Sequence, residues 1–184
     1  MRVRHLVMVA LVLGLVAGCA KREMPETGAG LTAEQRAGVE RGVQQFMAQV
    51  AQDVTREGPA AWRKEFSGGP EFFMASDGKL AFANGQAAMQ GIEGVAQMIK
   101  HIELKWGDDL KIDALTPNLA AVGTSWAEER EDAQGHRVKE SGYFTGVAEL
   151  RDAKWVFRDV HWSSIGRSSE WRESENSRKF ENGT

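Results

Sequence analysis

Cysteine is almost absent from this chain of 184 residues, which has a single one. That scarcity excludes an internal disulfide framework and a zinc site built from several cysteines. The chain also lacks a basic run interleaved with aromatic residues, and its formal net charge is −3, so no nucleic-acid partner is expected. Neither a heptad nor a collagen-like repeat is present, and the hydrophobic fraction of 42% is ordinary for a globular protein. One domain flanked by tails is the expected organisation.

The hydrophobic run near the N-terminus is too short to cross a membrane. Twelve apolar residues, 6–17, follow Arg2 and Arg4, whereas a transmembrane helix needs roughly 20. A basic start followed by a run of this length is typical of a secretory signal peptide. The segment Val16-Ala17-Gly18-Cys19 resembles the lipobox of bacterial lipoproteins, in which small residues precede the cysteine that is lipidated. The resemblance implies a signal peptide over 1–18 and a lipid anchor on Cys19.

Two polar segments flank the expected domain. Residues 19–30 have almost no apolar content and are interpreted as a flexible, lipidated tether, and residues 167–184 as a disordered polar tail. Lys21, rather than an aspartate, lies close behind the cysteine, which resembles the sorting pattern of enteric lipoproteins that reach the outer membrane. We therefore expect a lipid-anchored protein of the bacterial cell envelope that faces the periplasm, with one folded domain over 31–166.

The first part of this domain shows helical periodicity. Thr32 and Gln35 have the spacing of a capping box, which marks the start of a helix. The apolar residues that follow recur at helical spacing: Val39, Val43, Phe46, Met47, Val50 and Val54. The dipeptide Gly58-Pro59 predicts the end of this helix and the beginning of a short second one.

The remainder of the domain is dominated by the two-residue period of β-strands. A short hairpin over 71–83, with its turn at Asp77-Gly78, and a helical pattern from Met89 to Ile102 come first. Apolar and polar residues alternate from Glu103 onward. Further strands are predicted at 119–129, 137–150 and 154–163. Helices followed by a long meander indicate an α+β fold, with about three helices packed on one face of a curved antiparallel sheet.

Four segments carry a resemblance to a known fold family. They are Leu115–Ala120, Asp132–Gly135, Gly142–Gly146 and Trp155–Ser163, and the last is the most specific because it starts with tryptophan and ends with His-x-Ser. Over residues 31–166 the chain resembles the nuclear transport factor 2-like superfamily, within it the polyketide-cyclase-like (SnoaL-like) and ketosteroid-isomerase-related branch. The resemblance implies a cone-shaped fold and, commonly, a homodimer through the outer face of the sheet. It implies no single function, since this fold hosts isomerases, hydrolases, cyclases and transport adaptors.

A two-residue turn at Asp152-Ala153 sets the expected register of the last two strands. Counting back from this turn pairs Phe144 with His161 and Gly146 with Asp159, and places them on the more aromatic, concave face. The outer face is then also apolar, and we expect it to form the homodimer. The residues expected there include Tyr143, Val160 and Trp162.

The strand that contains Trp126 has two possible registers. If Glu131 pairs with His136, the residues that face the concavity are Ala121, Gly123, Ser125 and Ala127. A slip of one residue instead turns Trp126 and Glu128 inward, and the sequence leaves this choice open. The acidic run Glu128–Asp132 is interpreted as the solvent-exposed end of a hairpin rather than as a metal site.

The candidate binding residues follow from these registers. His161 is the strongest candidate, because Asp159 on the same face would orient its imidazole and raise its pKa, as a general base requires. A structural histidine near the pocket mouth is the alternative interpretation. The expected pocket walls are Phe72, Met74, Trp106, Phe144 and Trp126, and core packing is the alternative role of the first three.

The catalytic sets of enzymes with the resembling fold cannot be carried over. A ketosteroid-isomerase site needs a carboxylate base with a tyrosine or protonated acid in an apolar pocket, but Tyr143 is expected outside. The epoxide hydrolases use an Asp-Arg-Asp arrangement, but Arg158 and Asp159 are adjacent and point to opposite faces. The leading hypothesis is a non-enzymatic, lipid-anchored domain that binds a small apolar or amphipathic molecule, without cofactor or metal. The alternatives are an isomerase or hydrolase that uses His161 with Asp159, and a protein-interaction module of the envelope.

Overall fold

The computed structural model describes residues 30–165. Cys19, the predicted signal peptide, most of the predicted tether and the predicted tail lie outside these residues. The α-helices within them are α1 (Ala33–Glu57), α2 (Trp62–Glu65) and α3 (Gly85–Met98). The strands are β1 (Phe73–Ser76), β2 (Lys79–Phe82), β3 (Ile99–Trp106), β4 (Lys111–Thr116), β5 (Leu119–Asp132), β6 (Arg137–Arg151) and β7 (Lys154–Ser164).

Helix α1 begins and ends where the sequence predicts. The backbone N–H of Gln35 donates to the Thr32 hydroxyl at 3.1 Å, and the Gln35 side-chain oxygen accepts from the Thr32 N–H at 2.9 Å, so the capping box is confirmed. The predicted apolar stripe is buried along its whole length. Gly58 ends the helix with a φ of +76°, a conformation that glycine adopts without strain. Pro59 then opens a 3₁₀ turn that leads directly into α2.

Helix α3 is shorter than the sequence predicts. Asn84 caps its start by accepting from the Ala87 N–H at 2.9 Å, but the helix ends at Met98 and β3 begins at Ile99. The prediction that the helix runs to Ile102 was wrong. The spacing of Ile99 and Ile102 fits a helical period, but pairing of this segment with β5 decides its conformation.

The sheet is curved, open and mixed. Its strand order is β2-β1-β7-β6-β5-β3, and β4 also pairs with β5. All of these pairs are antiparallel except β1 with β7, which is parallel. The predicted α+β class is confirmed. The sheet was predicted to be antiparallel, which is wrong for the parallel pair β1 and β7. The hairpin β1–β2 joins the edge of β7, which pairs backbone groups that an isolated hairpin would leave open.

The core lies between α1 and the concave face of the sheet. The rings of Phe46 and Phe157 are 4.8 Å apart, and those of Phe144 and Phe157 are 5.1 Å apart. The indole N–H of Trp106 donates to the Met47 carbonyl at 2.8 Å and so ties β3 to α1. In the part of the chain that the structure describes, every helix falls short of the length and apolar character needed to cross a membrane.

Strand β7 leaves the predicted register at a β-bulge. Close to the turn the pairing with β6 is as predicted, but Arg158 is an extra residue without a partner on β6. Beyond it Phe144 pairs with Trp162, so the predicted pairing of Phe144 with His161 was wrong. A bulge adds one residue to one strand, and a shift of one residue turns every later side chain to the other face.

Beyond Arg158, the bulge therefore turns toward the core the side chains of β7 that were predicted to face outward, and turns outward those that were predicted to face the core. Val160 and Trp162 are only 1% and 8% exposed, so their predicted place on an outer dimer face was wrong. His161 is exposed and Asp159 is half-buried on the outer face, where they pair with outward-facing residues of β6. Tyr143 does lie on that face, 38% exposed. A homodimer through this face stays a prediction.

Candidate functional site

A cavity of about 660 Å³ lies between the sheet and helices α2 and α3. Most of its walls are apolar, and the residues that form them are Pro59, Trp62, Phe66, Met74, Phe82, Ile92, Val95, Ile99, Ile102, Trp126 and Trp162. Pockets that hold small molecules are generally of about 300–1,000 Å³ and are lined mainly by apolar side chains with a few polar groups. The cavity has the size and the composition of such a pocket.

The register of β5 determines which of its side chains enter this cavity. Glu131 pairs with Arg137, and Glu128 pairs with Glu140 on β6. This is the second of the two registers that the sequence allows, so Trp126 and Glu128 face the concavity and line the cavity. One side of an apolar pocket thereby acquires a carboxylate.

Glu128 belongs to an ion-paired cluster with Arg130 and Glu140. Arg130 Nε is 3.3 Å from Glu128 Oε1, and its Nη2 is 2.7 Å from Glu140 Oε2. The two glutamate side chains are only 11% and 15% exposed. Arg130 follows Glu128 by two residues on the same strand, and thus on the same face. The cluster carries one net negative charge when both carboxylates are ionised.

Burial makes the Glu128 carboxyl a weaker acid than a glutamate in water. Removal from water raises the pKa of the Glu128 carboxyl to about 7, with Arg130 lowering it and Glu140 raising it further. Such a carboxyl is part protonated and part ionised at neutral pH. It can therefore donate or accept a proton, or change its charge when a ligand binds beside it.

Three tryptophans line the cavity near this cluster. The ring of Trp162 is 5.7 Å from that of Trp62 at an angle of 88°, and 5.1 Å from that of Trp126 at 81°. The indole N–H groups of Trp126 and Trp162 are buried and have no acceptor among the described residues. A buried polar group without a partner costs about 1–3 kcal/mol, so these two N–H groups reduce the stability that the burial of the rings provides.

Comparison with known proteins identifies the fold. No protein-family model and no curated protein matches the chain by sequence. Among solved structures, a putative scytalone dehydratase from Novosphingobium aromaticivorans aligns with a TM-score of 0.64 at 12% identity, over 73% of this chain and 89% of that one. A nuclear transport factor 2-like superfamily protein from Salmonella enterica aligns with a TM-score of 0.61 at 14% identity, over 72% and 94%. This chain has the nuclear transport factor 2-like fold.

A hexachlorocyclohexane dehydrochlorinase shares the nuclear transport factor 2-like fold with this chain. It aligns with a TM-score of 0.59 at 10% identity, over 73% of this chain and 90% of that one. At these identities the likeness establishes the fold and not the activity. The fold predicted from the sequence is thus confirmed.

The structure separates the predicted site residues of this nuclear transport factor 2-like domain into three groups. Met74 and Trp126 line the cavity. Phe72 and Phe144 are fully buried in the core, and Trp106 stacks on Trp162 with ring centroids 5.7 Å apart. For these three residues core packing takes the place of the predicted cavity wall.

Asp159 and His161 form the third group and lie outside the cavity. They still share one face of β7, as predicted, but the bulge makes this the outer face. Burial raises the pKa of the Asp159 carboxyl, and Arg158 lowers it, but Asp159 does not line the cavity described above. Within residues 30–165 the cavity has no histidine in its lining, so the predicted position of His161 in the concavity was wrong.

Arg130 and Glu140 line the cavity without having been predicted there, and Glu128 was placed inside only by the second of the two open registers. The interpretation of the run Glu128–Asp132 as solvent-exposed was wrong for Glu128, whose side chain is 11% exposed. The signal was present in the second register, which places this carboxylate inside. For the same described residues, the structure shows no group of three or more His, Cys, Asp or Glu arranged to hold a metal ion.

Proposed function

We propose that this chain binds a small apolar or amphipathic molecule in the cavity of its nuclear transport factor 2-like domain. The observation that supports this most strongly is a cavity of about 660 Å³ with apolar walls and one polar side. Removal of apolar surface from water supplies the affinity, and a few placed polar groups fix the orientation. The polar groups of the cavity lining include those of Glu128, Arg130 and Glu140.

A ligand of this site is expected to raise the thermal midpoint of the protein. At 100 times its dissociation constant it stabilises the folded state by about 2.7 kcal/mol, which is a shift of several degrees. The measurement is the melting of the full chain against a library of lipids, steroids and envelope metabolites.

A cavity-filling variant shows whether the ligand occupies this cavity. Val95→Trp adds bulk to the wall and should abolish the shift. Leu115→Trp, at an exposed position that does not line the cavity, should leave it unchanged. A protein that melts cooperatively but shifts with no compound in the library would contradict the proposal.

The enzymatic alternative with His161 as base and Asp159 as its partner loses its geometric basis, because both residues lie on the outer face. Two proteins of similar fold are described as a putative scytalone dehydratase and a dehydrochlorinase. Those descriptions support a pocket for small molecules in this fold. They do not extend the two reactions to this chain, whose cavity presents a Glu-Arg-Glu cluster of its own.

We further propose that Cys19 carries a lipid that anchors the protein in the bacterial cell envelope, at the periplasmic face of the outer membrane. This part rests on the sequence alone, on the segment Val16–Cys19 and on Lys21. Two or three acyl chains hold a protein at a membrane far more firmly than one.

Metabolic labelling with an alkyne fatty acid tests the anchor. Wild-type protein should take up the label and sediment with the outer membrane, and Cys19→Ser should do neither. Met24→Ser in the same tether is the matched control and should behave as wild type. Equal labelling of Cys19→Ser would show that the anchor is elsewhere or absent.

A further inference from the structure

We infer that the cavity selects an organic cation, namely an amphipathic amine or quaternary ammonium compound whose head lies beside Glu128 and Trp126. Its apolar body would lie against the apolar walls of the cavity. The inference rests on the proposed function, since it names the ligand class of the same site.

The charges around the cavity favour a positive head group. Of the charged residues in its lining, Asp77, Glu128 and Glu140 are acidic and Arg130 alone is basic. Arg130 is within 3.3 Å of one glutamate and 2.7 Å of the other, so it is already neutralised and offers little to an anion. A carboxylate or phosphate head would face a cluster whose net charge is negative when both glutamates are ionised, whereas a cation would relieve the repulsion between them.

The end of helix α3 adds to this preference. The helix ends at Met98, and Val95 and Ile99 at this end line the cavity. The C-terminal end of a helix carries about half a negative charge, which favours cations nearby. The acidic side chains and the helix end therefore act in the same direction, and the effect of the two glutamates is larger because their side chains are mostly buried.

The tryptophans supply the second element of cation recognition. Ring faces of tryptophan attract ammonium groups within about 6 Å, and most strongly where water is excluded. Trp62 and Trp126 each stand nearly perpendicular to Trp162, so ring planes of two orientations meet at the cavity. Trp126 and Glu128 are two residues apart on one face of β5, which separates them by about 6.8 Å. One ammonium head can thus contact a ring and a carboxylate together.

Three ligands that differ only in their head groups test this inference. They are decyltrimethylammonium, decan-1-ol and decanoate, each titrated below its micelle-forming concentration into the full chain while tryptophan emission is recorded. The cation is expected to bind on the order of tenfold tighter than the alcohol, and decanoate weakest of all. Glu128→Gln should reduce the advantage of the cation over the alcohol, and cooperative thermal unfolding of the variant shows that it is folded. Glu129→Gln, on the opposite face of the same strand, is the matched control and should retain the preference.

The outcomes separate this inference from the proposed function. If decan-1-ol binds and the cation binds no tighter, the cavity is a ligand site but the inference is wrong. Tightest binding of decanoate overturns it as well and makes Arg130 the recognition group. If none of the three binds, whereas the protein melts cooperatively, the proposed function itself fails for this ligand class. If Glu128→Gln retains the full preference for the cation, the Glu128 carboxylate does not recognise the head group and the inference is wrong on that point.

Discussion

Replacement of Trp162 by alanine is expected to lower the free energy of unfolding by about 3–5 kcal/mol, whereas His161→Ala should change it by less than about 0.5 kcal/mol. Trp162 is buried, and its ring lies within 6 Å of four other aromatic rings, those of Trp62, Trp106, Trp126 and Phe144. His161 is exposed on the outer face. Urea denaturation of both variants measures the difference.

The difference between Trp162→Ala and His161→Ala also tests whether β7 has a bulge at Arg158. The register counted from the turn at Asp152-Ala153 places His161 inside and Trp162 outside, and so predicts the opposite order of effects. A large loss of stability in His161→Ala with little change in Trp162→Ala would show that β7 has no bulge in solution.

Replacement of Glu128 by glutamine is expected to stabilise the protein at neutral pH by about 3 kcal/mol. Burial raises the pKa of this carboxyl from 4.5 to about 7, and each unit corresponds to about 1.4 kcal/mol. As the pH rises above about 4.5, Glu128 of the unfolded chain loses its proton and the folded protein keeps it until about pH 7. The free energy of unfolding of wild type therefore falls through this window and stays low above it.

Glutamine resembles the protonated acid, so the gain from Glu128→Gln should be absent near pH 4 and complete at pH 8. Denaturant unfolding across this range measures it. Glu129→Gln is the matched control: this glutamate is ion-paired with Lys139 on the outer face, and its removal should change stability little at any pH. A difference between Glu128→Gln and wild type that does not vary with pH would show that the carboxyl has an ordinary pKa.

Local signals in the sequence predict much of the fold. Thr32 and Gln35 cap α1, and its buried stripe follows the helical period, because both features depend on residues close together in the chain. The turns at Asp77-Gly78 and Asp152-Ala153 fall between strands as predicted, since their positive φ values suit these short turns.

The features that the sequence does not reveal depend on distant parts of the chain. The bulge at Arg158 has no glycine or proline to mark it, and it appears only when β7 is paired with both β6 and β1. The register of β5 is fixed by the whole β5–β6 pairing rather than by the turn residues. The pocket position of Glu128 follows from that register, and its raised pKa follows from its burial in the folded domain.

The most direct test of the central claim is the pKa of Glu128, measured by NMR titration of carbon-13-labelled side-chain carboxyls and assigned by comparison with Glu128→Gln. The account predicts a pKa of about 7 in the free protein and a fall when decyltrimethylammonium binds, because a positive charge nearby favours the carboxylate. A Glu128 pKa in the ordinary range that is unaffected by the cation would contradict both the buried site and its proposed ligand.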